Sequence, residues 1–132
     1  MNKPISLEME VPPPGQYPAT VLAISLYERG DRAFARVTYQ LDSEPPFEVP
    51  EFVSLREARD GTSAVRGRAR LRELAVAAGI ELQSITSTSD LQPLVGARVK
   101  ATIRLQEDDG IQIPKIVSVT ALRVEDGGFV SR

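Results

Sequence analysis

The stretch "TSAVRGRARLREL", Thr62 to Leu74, sets arginines at every second position: Arg66, Arg68, Arg70 and Arg72. Guanidinium groups at such density have one obvious chemistry, the recognition of phosphate oxygens. Further cations and rings stand elsewhere in the chain. Arg29 and Arg32 flank a Gly-Asp turn near Tyr27, and Phe34 and Arg36 follow at alternate positions. Arg98, Lys100 and Arg104 alternate in a later segment, with Lys115 beyond it. Positive side chains interleaved with aromatic rings suit a polyanion whose flat groups can stack.

Other chemistries are closed off by composition. The 132 residues contain no Cys and no His. Disulfides, thiolate nucleophiles, Cys/His zinc sites and triads with a histidine base are therefore excluded. The acid pairs Asp108-Asp109 and Glu44/Glu48 sit in a turn signal and beside prolines. We expect no enzyme, no catalytic residue, no metal and no cofactor. The net charge of −2 means that any anion-binding surface must be local and offset by acid elsewhere. The N-terminus lacks an apolar leader segment, and no stretch approaches a membrane span, so we expect a cytoplasmic protein.

The elements that position these residues can be read from periodicity. Met1 to Gly15, ending in Pro12-Pro13-Pro14-Gly15, reads as an extended arm (residues 1–15). Tyr17 to Tyr27 reads as a strand, with Leu22, Ile24 and Leu26 on one side and Tyr17, Val21 and Tyr27 on the other. Gly30-Asp31 marks a tight turn into a second strand, Ala33 to Leu41. There Val37, Tyr39 and Leu41 share one face, and Phe34, Arg36, Thr38 and Gln40 the other. Phe34 and Tyr39 thus point oppositely, and one of them belongs to the core. Tyr27 also reads as a plain cross-strand partner in the hairpin. Phe47 to Leu55 is a third strand, placed at an edge or bulge by Pro50.

Thr62 or Ser63 as N-cap and Gly79 past the C-terminus bound an amphipathic helix whose stripe is Leu71, Leu74, Ala75 and Ala78. At roughly 100° per residue the arginines divide: Arg66 and Arg70 fall on one flank of that stripe, Arg68 and Arg72 on the other. Two readings stay open. The arginines rim a docked helix with wet head groups, or one flank serves a phosphate path.

Ile80 to Pro93 reads as a Ser/Thr-rich linker, most mobile at Thr86 to Ser89. Arg98 to Gln106 alternates as a fourth strand, with Val99, Ala101, Ile103 and Leu105 inward. Asp109-Gly110 turns the chain into a fifth, Ile111 to Val124, with a bulge expected near Pro114. The last residues, 125–132, read as a loose tail, leaving 16–124 as the domain.

Three strands, a helix and two strands are the element order of the OB-fold, so we expect a mostly β, five-stranded OB-fold-like barrel with one helix between strands three and four. A sheet-plus-helix α+β layout is the alternative. "PPPGQYPATVLAI", "RGRARLRELAVAAGI" and "DLQPLVGARVKATIRLQEDDGIQIPKIVSV", spanning residues 15 to 122 in the main, resemble the OB-type single-stranded-DNA-binding proteins of phages and mobile elements. That resemblance implies nonspecific binding of single strands in a replication or recombination module, with proteins of such modules as partners. A homo-oligomer would extend the footprint. The expected contact residues are Tyr27, Arg29, Arg32, Phe34, Arg36, Arg98, Lys100, Arg104 and Lys115. The chain departs from the pattern of bacterial single-strand binders in lacking their acidic C-terminal peptide, since it ends in Arg132. Its low aromatic content of 5% and absence of Trp keep a protein-interaction or assembly module open as the competing function.

Overall fold

A computed structural model describes residues 11–57 and 61–123. The tail at 125–132, Val124 and the first ten residues of the arm lie outside it. Five strands form one antiparallel sheet in the order β3-β2-β1-β4-β5. They are β1 (Gly15–Arg29), β2 (Arg32–Leu41), β3 (Phe47–Arg56), β4 (Arg98–Asp108) and β5 (Ile111–Ala121). A helix, α1 (Thr62–Ala78), joins β3 to β4 through a short 3-10 segment, Thr88–Leu94.

β1 is long enough to serve two neighbours. Its Gly15–Thr20 half pairs with β4, while Ala19–Arg29 pairs with β2. The change of partner coincides with a bulge at Leu22, between Val21 and Ala23. A bulge adds a residue and shifts the inward phase. Ala19 and Val21 are buried before it and Ile24 after it. This corrects the single alternation read from the sequence: Val21 faces the core and Leu22 is exposed. β2 alternates as expected, burying Ala33, Ala35, Val37, Tyr39 and Leu41. β3 and β5 are both edge strands, which is where Pro50 and Pro114 can be accommodated without breaking a central ladder. The β5 bulge falls at Val117, three residues beyond Pro114, because Ile103 opposes Ile116 while Thr102 opposes Ser118.

The linker expectation is corrected as well. Leu91 and Leu94 of the 3-10 segment are fully buried. The Asp90 carboxylate accepts hydrogen bonds from the amides of Thr86 (2.7 Å) and Ser87 (3.1 Å), which lowers its pKa below the usual range. The Leu26 amide donates to Thr88 Oγ1 at 3.0 Å, tying this segment to β1. One apolar cluster results, built from the inner faces of all five strands, Leu71, Leu74 and Ala75 of α1, and Leu91 and Leu94.

α1 has Gly61 as its N-cap in place of the expected Thr62 or Ser63, both of which lie inside the helix, and ends at Gly79 in the left-handed conformation (φ 72°). That conformation suits glycine, and the Gly79 and Ile80 amides cap the last carbonyls. The helix lies across the space between the two edge strands. Arg70 binds Glu51 of β3 through Nε at 2.9 Å and donates from a second nitrogen to the Ile116 carbonyl of β5 at 3.2 Å. It also pairs with Glu73, whose carboxylate accepts the Val119 amide of β5 at 3.0 Å. β3 and β5 are thus joined through α1 side chains, with no ladder between them.

Candidate functional site

The outward faces of β1, β2 and β3 collect the exposed rings. Tyr27 opposes Phe34 across the β1–β2 ladder, and Arg36 opposes Phe52 across the β2–β3 ladder. The Tyr27 and Phe34 rings stack with centroids 5.1 Å apart and planes 18° from parallel. Phe34 and Phe52 follow at 6.2 Å, tilted by 50°. The Arg36 guanidinium lies 5.8 Å from the Phe52 centroid, within cation–π range.

Both ends of this row are exposed, and Phe34 between them is half-buried. Phe52 is 62% exposed and Tyr27 44%, unusual for large rings unless they meet a partner. The chain holds seven Phe and Tyr in all, so three of the seven sit in one surface row. Tyr39, by contrast, is the core ring: it is fully buried and donates to Glu51 Oε1 at 3.2 Å. Burial holds its hydroxyl well above the usual range, and the Glu51 charge adds to the shift.

Phe52 is missing from the sequence-derived set. The signal was present, since it alternates against Val53 and Leu55 and so faces outward. What the sequence does not show is the β2–β3 register that brings it beside Phe34 and Arg36.

The expected cations divide by environment. Arg29 and Arg32 oppose each other at the end of the β1–β2 ladder, on the same outward face as Tyr27 and Phe34. Arg32 and Lys115 line a groove of ≈ 830 Å³ together with Phe34, Phe52, Arg56, Arg66 and Arg70. Two carboxylates line it too. Glu51 is held by Arg70, and Glu57 accepts the Ser54 hydroxyl at 3.3 Å. Arg104 and Lys115 oppose each other across β4–β5. Lys100 lies opposite Pro18 of β1. Arg98 is committed elsewhere: it binds Asp42 with two nitrogens at 2.9 and 2.6 Å and Thr20 Oγ1 at 2.9 Å. The rings and the β4 cations are therefore not one cluster. Tyr27, Phe34 and Arg36 come together with Phe52, while Arg98 is neutralised by its partner.

The four helix arginines also sort. Arg68 donates to the Leu55 carbonyl at 2.8 Å, and Arg70 is enclosed as described. Burial works to lower the Arg70 pKa, but Glu51 and Glu73 more than offset it and raise it. Burial likewise pushes the Glu51 carboxyl up against the pull of Arg70. Arg66 and Arg72 are exposed. Arg66 and Arg70 share the ≈ 830 Å³ groove. Arg68 and Arg72 line a second cavity of ≈ 420 Å³ with Leu26, Leu55, Leu71 and Ile85, which adjoins the groove at Ala33 and Arg56.

Among the described residues there is no group of acidic side chains able to hold a metal ion, and no helix is long and apolar enough to cross a membrane. Comparison with known proteins yields no match, either to a family model or to a curated protein.

Proposed function

We propose that this protein binds single-stranded DNA without sequence specificity, stacking bases on the Tyr27–Phe34–Phe52 row. The observation that carries this reading is the row itself, two exposed rings flanking the half-buried Phe34, with Arg36 against the last. Each base stacked on a ring contributes about 1–3 kcal/mol and is tolerant of base identity. The rings present no fixed set of base-edge donors and acceptors, which fits nonspecific binding. Arg29, Arg32 and Lys115 supply positive charge around the row and its adjoining groove.

The scaffold reading is an OB-fold-like barrel. The strand order, the sharing of β1 between β2 and β4, and α1 spanning β3 and β5 support it. In that reading α1 fills the seam between the edge strands. A replication or recombination role, partner proteins of such modules and a homo-oligomer follow from the sequence resemblance alone, and a cytoplasmic location rests on the sequence expectation given above.

A second reading, a protein-interaction module, draws support from Val65 and Val76 on α1, which are 53% and 78% exposed, and from the net charge of −2. Fluorescence anisotropy with a labelled dT strand of about 30 nucleotides, at low and moderate salt, decides between them. Binding that prefers the single strand over an equal-length duplex and falls steeply with salt is expected. No binding at micromolar protein and low salt would favour the interaction module.

A further inference from the structure

We propose that the bound strand leaves the aromatic row over the edge of β3 and continues along one flank of α1, where Arg66, with Arg32 and Lys115, holds its phosphates. This inference rests on the single-strand reading and extends it to the helix.

The route is continuous. Phe34 and Phe52 belong both to the ring row and to the lining of the ≈ 830 Å³ groove between β3 and α1. A strand stacked on Phe52, at the edge of the sheet, has this groove directly ahead of it. Arg32, Arg66 and Lys115 line it without a carboxylate partner among the described residues. The other cations there are engaged: Arg56 with Glu28, and Arg70 with Glu51 and Glu73. Of the two acids of the groove, Glu51 is paired with Arg70, while Glu57, which accepts only the neutral Ser54 hydroxyl, offsets one of the three cations Arg32, Arg66 and Lys115. The charge left for a polyanion is positive.

The helix is held in place to serve as the groove's wall. Gly67 has no room for a side chain because the Ser54 backbone of β3 lies against it. Arg68 on one side of it anchors to the Leu55 carbonyl. Arg66, on the other side, is left exposed on the groove flank. The alternate spacing of the arginines thus has two outcomes. Arg68 and Arg70 fix the helix, and the exposed pair diverges, Arg66 toward this groove and Arg72 toward the ≈ 420 Å³ cavity, which also holds Glu28, on the opposite flank.

The divergence supplies its own control. Anisotropy titrations with labelled dT of about 30 nucleotides, between about 50 and 200 mM salt, would compare the unaltered protein with Arg66→Ala and Arg72→Ala, each confirmed as folded by its melting curve. One lost phosphate contact on a single strand lowers the slope of log K against log salt by about 0.7, a salt-induced loss about 2.6-fold smaller over that range. Arg66→Ala is expected to show this reduction and weaker binding at low salt, with Arg72→Ala matching the unaltered protein. Equal slopes for the two variants, with the unaltered protein still binding, would overturn the helix route and leave the ring row standing. No binding by the unaltered protein would overturn both.

Discussion

Gly67 of α1 lies against the backbone of Ser54 in β3, so closely that a β-carbon at Gly67 would stand 2.8 Å from the Ser54 nitrogen and overlap its carbonyl oxygen. The helix and the edge strand meet backbone to backbone. Gly67→Ala gains about 1 kcal/mol of helix propensity, but the clash is with main chain and cannot be relieved by a rotamer. Overpacking of this kind costs about 1–3 kcal/mol, or more where the backbone must move. We expect a net loss of stability, read as a lower midpoint in urea. An unchanged or raised midpoint would show that α1 does not press on β3.

Arg70 is the tie between the two edges of the sheet. Its side chain is 17% exposed and that of Glu51 15%. Removing one member of such a pair leaves a buried charge, at a cost of about 3–5 kcal/mol. Arg70→Ala is expected to lose that much at neutral pH. The loss should depend on pH in a defined direction. Glu51 already titrates above the usual carboxylate range because of burial, and without Arg70 it moves higher. An acid with a raised folded pKa favours the folded state at low pH and loses that advantage as pH rises through its folded value. The deficit of Arg70→Ala should therefore shrink as pH falls through the raised folded value of Glu51 and be smallest once pH reaches the ordinary carboxylate range, and Glu51→Gln in the same protein should recover part of it. A deficit independent of pH would refute the buried-charge account.

Arg98 and Asp42 illustrate the opposite sign. Hydrogen bonds from Arg98 hold the Asp42 carboxyl below its ordinary range. The pair contributes stability above the unfolded aspartate value of about 3.9 and loses it as pH falls through the folded value. Both side chains are nearly half exposed, so the contribution is below about 1 kcal/mol. Asp42→Asn should be slightly less stable at pH 6, and the difference should vanish in acid. Because Arg98 is already paired, Arg98→Ala should reduce the salt slope of DNA binding less than Arg36→Ala does. A larger effect at Arg98 would move the binding face to β4.

Much of this arrangement is legible in the sequence, and the parts that are not share a cause. The two faces of β2, the Leu71, Leu74 and Ala75 part of the α1 stripe, the split of its arginines between two flanks and the cap at Gly79 are legible locally and present, while Ala78 is only half-buried and the stripe extends to Ala64 and Gly67 instead. Leu22 departs because one bulge reverses the pleat where β1 changes partner. The Thr88–Leu94 segment is short, so its two buried leucines carry too few periods to stand out from a Ser/Thr-rich run. Asp42 reaches Arg98 across 56 residues of sequence, and Phe52 meets Phe34 and Arg36 through a ladder register. Pairings of that range are set by tertiary packing, and no local pattern announces them.

Stacking of bases on the outward rings is directly measurable, because the chain contains no Trp. Phe52→Trp would install the sole tryptophan at the exposed end of the row. On titration with dT of about 30 nucleotides, its emission should be strongly quenched in step with the anisotropy change, and salt should reverse both together. Anisotropy that reports binding while the Trp emission stays unchanged would contradict the account and place the strand on another face.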